Sequence, residues 1–207
     1  WELPAGRLVV DYPVPGQVGS LAFHPDGKQL AVGRIDRALT LVDWKTGRTT
    51  RTFRGARTEI LGIAFQPKGD LIAVRCGSSV HVWNPGVETD ALTFPCKSSD
   101  FVGVNADGRW LVVASQDVTP DKKYGAHRVT VRSTESGRQV SAWFDRGRLG
   151  LTPCFGGPTQ FAVPLSRPPR DFPVEIRDLT TGQLVQSLPN ARLPCLNRDG
   201  SLLACVQ

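Results

Sequence analysis

A seven-residue segment recurs four times along the chain, and this repetition restricts the available folds more than any other feature of the sequence. Each copy has a small residue between two apolar ones, then a polar residue and a turn that closes on glycine. The copies cover residues 21–27, 63–69, 102–108 and 194–200. A second apolar stretch follows each glycine. Internal repetition of this kind indicates one small structural unit that is stacked many times.

The third stretch of each unit sets the length of the repeat. Its residues alternate between apolar and polar, and a Thr-Gly or Ser-Gly turn follows it in three units. The last residues of these stretches are Trp1, Val42, Trp83, Arg132 and Arg177, with spacings of 41, 41, 49 and 45 residues. Four short strands with tight turns in a unit of about 40 residues are typical of a propeller blade. The sequence therefore predicts an all-β fold, a β-propeller of four-stranded antiparallel blades.

The repeat extends through the whole chain, so we expect residues 1–207 to form one propeller segment. No window has the apolar spacing of an amphipathic helix, which excludes a helical repeat. The predicted complete blades cover about residues 17–55, 59–96, 100–145 and 149–189, with partial blades at 1–13 and 192–207. These units amount to about five blades, and we expect them to be part of a larger propeller.

The motifs of the repeat resemble those of WD40 repeats. The Phe-x-Pro-x-Gly turn at 23–27, the Trp-Asp-like strand end at 83–84 and the Thr-Gly turn at 46–47 match the pattern of this family. The family's Gly-His pair before the first strand is missing, and residues 55–56 (Gly-Ala) are the nearest candidate for it. The resemblance therefore implies a propeller without the family's Asp-His-Ser/Thr-Trp hydrogen-bonded network. Apolar packing then has to contribute more to the stability of each blade.

Composition excludes a disordered chain and a membrane-spanning one. Apolar residues make up 40% of the chain and charged residues 21%, as in ordinary folded proteins. No apolar run approaches the ~18 residues that a membrane-spanning helix needs.

The cysteines favour a reducing compartment. The five of them form no Cys-x-x-Cys pair and are too sparse for a disulfide framework, so we expect a cytoplasmic protein. Cys154 and Cys195 occupy the same first-strand position as Ala22, Ala64 and Gly103, and Cys205 occupies a valine position of the second strand. We therefore expect these three cysteines to fill the core.

The sequence contains no arrangement that is typical of a catalytic or metal site. The histidines His24, His81 and His127 fall at different positions of the repeat, without a nucleophile or carboxylate at a matching spacing. No glycine-rich loop joins a strand to a helix, and no Cys/His cluster has the spacing of metal ligands. We expect no catalytic residue, no metal and no cofactor in this segment.

The net charge of +6 arises from one part of the chain. Residues 28–57 contain eight Lys and Arg and two Asp, whereas the other 177 residues contain 17 basic and 17 acidic ones. Four of these arginines, here called the basic rim, follow the predicted outer strand of the first blade: Arg48, Arg51, Arg54 and Arg57. They predict either a solvated, charge-protected strand edge or a surface for an acidic or phosphate-bearing partner. Nucleic acid is disfavoured, because no stacking aromatic residues are interleaved with them.

The two longest spacings identify a second candidate surface. They place additional residues at 117–127 and 167–172, between the second and third strands of neighbouring blades. Insertions at equivalent positions emerge on the same face of a repeat protein, where partners often bind. The candidate residues, here called the loop face, are Lys122, Lys123, Tyr124, His127, Arg167 and Arg170. The alternative is that these loops are insertions without a role, since chain closure costs little for longer loops.

The WD40 resemblance implies a non-enzymatic scaffold for protein–protein interactions, and the positive charge of the basic rim favours an acidic protein as partner. Two alternatives stay open. In one, the chain is the propeller domain of a multidomain enzyme such as a bacterial serine/threonine kinase, with catalysis outside this segment. The excess of Arg over Lys, 19 to 6, is typical of a GC-rich bacterial gene and fits that alternative. In the other, the basic rim binds phosphate or nucleic acid.

Overall fold

The strands of the protein form a series of antiparallel sheets, each built from consecutive strands. The computed structural model describes residues 4, 6–11, 13–14, 16–86, 90–96, 99–117, 126–146, 148–149, 153–166, 172–197 and 199–206. These residues include nineteen strands and no helix. None of them therefore forms a helix that is long and apolar enough to cross a membrane.

Three of the sheets have four strands each, in sequence order. The first contains β1 (Val18–Phe23), β2 (Gln29–Arg34), β3 (Leu39–Asp43) and β4 (Thr49–Phe53). The second contains β5 (Ile60–Phe65), β6 (Ile72–Cys76), β7 (Ser79–Trp83) and β8 (Asp90–Pro95). The third contains β9 (Ser99–Val104), β10 (Trp110–Asp117), β11 (Ala126–Ser133) and β12 (Gln139–Arg146).

The remaining strands form a fourth and a fifth sheet. The fourth contains β13 (Arg148–Leu149), β14 (Cys154–Gly156), β15 (Gln160–Ser166), β16 (Val174–Asp178) and β17 (Leu184–Leu188). Both β13 and β14 pair with β15, so the inner edge of this sheet is split between two short strands. The fifth contains β18 (Arg192–Leu196) and β19 (Leu203–Val206). The predicted all-β architecture of four-stranded antiparallel blades is confirmed.

The register between the first two strands of each sheet is the same from sheet to sheet. The small residue of the repeated segment always faces the second residue of the following apolar stretch, as in the pairs Ala22↔Ala31, Ala64↔Ala73, Gly103↔Val112, Cys154↔Ala162 and Cys195↔Ala204. At Gly103 a Cβ would lie 2.6 Å from the rings of Phe101 and Phe155. At Gly103 the side chain is small because the ring of Phe155 in the next sheet lies against this position.

The cysteines fill the core less than the sequence predicts. Cys76 is fully buried and Cys154 is half-buried, but Cys195 and Cys205 are exposed. The prediction for the last two was wrong, although Cys195 has the expected register position, opposite Ala204. Both belong to the two-stranded fifth sheet, where no further described strand covers them.

Apolar side chains between successive sheets form the core. One cluster joins the first and second sheets, where the rings of Phe53 and Trp83 stack with centroids 5.5 Å apart. A second joins the third and fourth sheets around Phe161, which is fully buried. Each sheet therefore buries its apolar side chains against its neighbour, as expected for blades whose cores lie between them.

A polar contact accompanies this apolar packing at three successive junctions. In each, the polar residue of the repeated segment donates a hydrogen bond to a carbonyl in the first turn of the next sheet. His24 Nε2 donates to Gly69 at 3.3 Å, Gln66 Nε2 to Gly108 at 3.1 Å, and Asn105 Nδ2 to Pro158 at 2.6 Å. These contacts are a regular link between neighbouring blades, in a chain that lacks the family's Gly-His pair.

Glycine is required in these turns for two reasons. Gly69 has φ +82° and Gly108 has φ +78°, a left-handed conformation that other residues adopt at a cost. A Cβ on Gly69 would also lie 2.4 Å from His24 Nε2, and one on Gly108 would lie 2.6 Å from Gln66 Cγ. The backbone of each turn therefore approaches the preceding blade to a distance that only glycine allows.

Replacing Asn105 by Ala should destabilise the protein strongly. Asn105 is fully buried, its Nδ2 donates to Pro158, and its Oδ1 accepts the amide of Trp110 at 2.9 Å. Its loss leaves two backbone groups without a partner, which should cost about 2–3 kcal/mol in the free energy of unfolding. Chemical denaturation measures this difference.

Asn197→Ala is the matched control. Asn197 has the same position in the repeat, but among the described residues its side chain bonds only within its own turn, to Leu202 and Ser201. We expect this variant to lose clearly less stability than Asn105→Ala. Equal losses would contradict the importance of the inter-blade bond.

Candidate interaction surface

Most of the predicted loop face lies outside the described residues. This applies to Lys122, Lys123, Tyr124, Arg167 and Arg170. The sixth residue, His127, lies in β11, opposite Gln116 of β10, and is only 4% exposed. It belongs to a strand and not to a surface loop, because β10 and β11 each extend over eight residues and take up part of the insertion. His127 is therefore left out of the loop face below.

The basic rim lies on β4 and directly before and after it, and β4 is an edge strand of the first sheet. Arg48, Arg54 and Arg57 are exposed, whereas Arg51 is half-buried. Among the described residues, no carboxylate forms an ion pair with the three exposed guanidinium groups. Three uncompensated positive charges therefore face solvent on one edge of the first blade.

Arg51 has a structural role that its place in the sequence does not reveal. Its guanidinium donates a hydrogen bond to the carbonyl of Pro85 in the second sheet's outer turn. Its Cζ also lies 5.4 Å from the centre of the Phe53 ring, within the range of a cation–π contact. Arg51 thus connects the first blade to the second and is not available to a partner in the way its three neighbours are.

The acidic residues close to the rim are engaged elsewhere. The carboxylate of Asp43 accepts hydrogen bonds from the backbone N–H and the hydroxyl of Thr46. These bonds, chiefly the one from the backbone N–H, hold the pKa of Asp43 below its usual value. The other acidic residue of the segment, Asp36, pairs with Arg34. Neither carboxylate therefore neutralises the exposed arginines.

The aromatic residue nearest to the rim is also committed to the fold. Trp44 is half-buried, and its Nε1 donates a hydrogen bond to the carbonyl of Gly27 at 2.7 Å. Lys45 covers its ring, with Nζ 5.5 Å from the centroid. The ring is therefore not presented as a platform on which a base could stack.

The histidines and the buried thiol are separated from one another. His24 bonds to the neighbouring blade, while His81 bonds to Ser79 and Thr93. Burial raises the pKa of the Cys76 thiol to about 11, so the thiol stays protonated and unreactive at neutral pH. In the part of the chain that the structure describes, no three His, Cys, Asp or Glu side chains come together as metal ligands would.

The structure also places two arginines together that sequence reasoning missed. Arg128 and Arg132 are four residues apart on β11, so their side chains lie on the same face of the strand. Both line a cavity between the second and third sheets. A comparison of two repeat units could have drawn attention to this pair of arginines. Arg132 and Arg177 share one position, but the residue two places before is Thr130 in one unit and Glu175 in the other.

Comparison with known proteins identifies the type of propeller. The family model of the anaphase-promoting complex subunit 4 WD40 domain matches residues 13–66. The human WD repeat and HMG-box DNA-binding protein 1 is 33% identical over 76 residues, 36% of this chain and 7% of that protein. The nuclear distribution protein PAC1 of Gibberella zeae is 28% identical over 134 residues, 56% of this chain and 29% of that protein.

A solved structure agrees in fold over nearly the whole chain. A chain of Kuenenia stuttgartiensis hydrazine synthase superposes with a TM-score of 0.69 over 95% of this chain and 56% of that chain, at 19% identity. The chain is a β-propeller, and its residues 13–66 match a WD40 domain. At 19% identity the likeness to hydrazine synthase concerns the fold alone. This WD40 propeller segment spans less than a third of the length of the two curated relatives.

Arg51→Ala should destabilise the protein, whereas Arg48→Ala should not. Arg51 loses a charge-assisted hydrogen bond and an aromatic contact, which together should lower the free energy of unfolding by roughly 1–2 kcal/mol. Arg48 is exposed, so its loss should change stability by less than about 0.5 kcal/mol. Chemical denaturation of both variants distinguishes these roles. Equal stabilities would show that Arg51 does not connect the blades.

Proposed function

We propose that this WD40 propeller is a non-enzymatic scaffold that binds an acidic protein surface through its basic rim. One observation carries the proposal: Arg48, Arg54 and Arg57 are exposed at the two ends of the edge strand β4, without a carboxylate partner among the described residues. A cluster of like charges on a rigid edge attracts a surface of opposite charge and raises the rate of encounter.

The comparisons support a role in protein interaction in general. The matching family model is of a domain from a subunit of a complex, and the curated relatives are WD-repeat or nuclear distribution proteins. The kinase-linked alternative is supported only by the excess of Arg over Lys, which concerns the source of the gene and not the function of this segment. Nucleic acid is the weaker choice of partner for the rim, because Trp44 is held by Gly27 and Lys45, and Phe53, which precedes Arg54, is buried. A cytoplasmic location is part of the same proposal and rests on the sparse, unpaired cysteines.

Reversing the charge of the rim should abolish binding to an acidic probe. A polyglutamate peptide serves as the probe, and the variant carries Arg48→Glu, Arg54→Glu and Arg57→Glu. We expect wild-type binding that weakens with salt, and at least a tenfold loss of affinity in the variant, because three attractive charges become repulsive. Fluorescence anisotropy at two salt concentrations measures both effects.

The matched control carries Lys68→Glu, Arg109→Glu and Arg138→Glu. These residues are exposed outside the rim, and the change in net charge is the same. The control should keep its affinity within about threefold. An equal loss in both variants, or the absence of binding to wild type, would refute the rim as a binding surface. Tighter binding of a single-stranded oligonucleotide than of polyglutamate would favour the nucleic-acid alternative.

The loop face is proposed as a second contact region, based on the unequal repeat lengths. Simultaneous replacement of Lys122, Tyr124, Arg167 and Arg170 by Ala should weaken co-purification of protein partners while leaving the melting temperature nearly unchanged, since loop side chains contribute little to the core. Quantitative mass spectrometry of co-purified proteins and thermal unfolding measure the two effects. Undiminished recovery of every partner would refute a role for these loops.

A further inference from the structure

A cavity between the second and third blades has no part in the proposed scaffold function. Its volume is about 380 Å³, and it lies between β7–β8 on one side and β10–β12 on the other. The wall from the second blade is mainly apolar and includes Val80 and Phe94. The wall from the third blade is polar and includes Ser115, Arg128, Thr130 and Arg132.

The strand register explains why both arginines face the cavity. Side chains two residues apart on a strand lie on the same face, so Arg128, Thr130 and Arg132 form one row on β11. Their partners on β10 are Ser115, Val113 and Leu111, in the same order. The row meets the second blade, where the ring of Phe94 lies 4.5 Å from the Cζ of Arg132.

The two guanidinium groups are held differently. Arg132 donates a hydrogen bond from Nη1 to the carbonyl of Gly137 at 3.0 Å, which positions its remaining donors. Arg128 lies over the ring of Phe144 at 5.5 Å, and its Nε is buried with no hydrogen-bond partner. A buried donor without a partner is costly, so Arg128 is prepared for an acceptor that the protein itself does not supply.

None of the described carboxylates balances the charge of this arginine pair. None of the described residues that line the cavity is a carboxylate, and neither arginine has an ion pair with a described residue. Burial lowers the pKa of Arg132, and the nearby Arg128 lowers it further, as expected for two cations without a counter-charge. Arginine stays charged all the same, so the cavity has a net positive charge at neutral pH.

The fourth blade contains the balanced version of the same arrangement. Arg177 has the register position of Arg132, bonds to the equivalent turn carbonyl of Gly182 at 3.0 Å, and lies over Trp143 of the preceding blade. There, however, Glu175 accepts bonds from Arg177 at 2.7 and 3.1 Å, and it is only 4% exposed. In the third blade Thr130 takes the place of Glu175. The junction between the second and third blades therefore lacks the carboxylate that the junction between the third and fourth blades has.

We propose that the cavity between the second and third blades binds a small organic anion. Its phosphate or carboxylate group lies between Arg128 and Arg132, in the place that Glu175 fills in the next blade, and accepts the bond that Arg128 Nε offers. Its apolar portion packs against Val80 and Phe94. The cavity volume accommodates a molecule of roughly the size of a substituted benzene ring, within the usual range for small-ligand sites.

Binding of four small probes tests this proposal. Phenyl phosphate and benzoate combine an anion with an apolar ring, inorganic phosphate lacks the ring, and benzyl alcohol lacks the charge. We expect calorimetric binding of phenyl phosphate or benzoate, with the preferred probe distinguishing a phosphate from a carboxylate ligand. Inorganic phosphate and benzyl alcohol should bind at least about tenfold more weakly, because each lacks one half of the recognised chemistry.

Two substitutions locate the binding. Arg128→Gln should weaken binding of the preferred probe by about tenfold or more, as expected when a charge-assisted hydrogen bond is lost. Thr130→Glu introduces the carboxylate of the fourth blade and should abolish binding, while the melting temperature without ligand stays equal or rises. Arg138→Gln removes an exposed positive charge outside the cavity and should leave the affinity within about twofold.

Several results would overturn the proposal. They are the absence of binding by both ring-bearing anions, full affinity in Arg128→Gln or Thr130→Glu, and equal losses in Arg128→Gln and Arg138→Gln. If inorganic phosphate bound as tightly as phenyl phosphate, the proposed apolar contact with Val80 and Phe94 would be wrong. Thermal unfolding of each variant confirms that it is folded before its affinity is interpreted.

Discussion

The contact between one blade and the next is the interaction on which the rest of this structure depends. Each sheet has an apolar face that it can bury only against a neighbour, and the clusters around Phe53, Trp83 and Phe161 lie at such junctions. A hydrogen bond from His24, Gln66 or Asn105 to the turn of the following blade adds direction to this packing. Apolar burial is non-directional, so these polar links help to fix how far each blade is rotated against the next.

The same junctions decide which charged residues are available for function. Arg51 bonds to Pro85 and Arg177 pairs with Glu175, so both contribute to blade packing. Arg128 lies at another junction, where the repeat supplies no carboxylate, and its Nε has no partner. A repeat protein can thus use one position for structure in one blade and leave it open for a ligand in another, because each junction is packed independently.

Much of the fold could be predicted from the sequence, because a propeller repeats the same local solution. The small position at Ala22, Ala64 and Gly103 and the turn glycines recur in phase, and the strands pair as these signals require. The candidate sites were less predictable. The sequence places Arg51 beside Arg48 but does not reveal Pro85 beneath it, and it does not reveal that β10 and β11 extend far enough to bury His127. Burial depends on a neighbouring blade, about 40 residues away in sequence.

The sequence by itself determined the unit: its length, its four strands, its turns, its small core position and the concentration of positive charge at residues 28–57. These properties are local, since alternation and turn chemistry act over a few residues. Only the tertiary structure decided which side chains meet across the junctions. It buried the Glu175–Arg177 pair, left Cys195 and Cys205 exposed, and brought Arg128 and Arg132 to one cavity without a counter-charge. The physical reason is that the energy of a charge or a thiol depends on what covers it, and the cover comes from another blade.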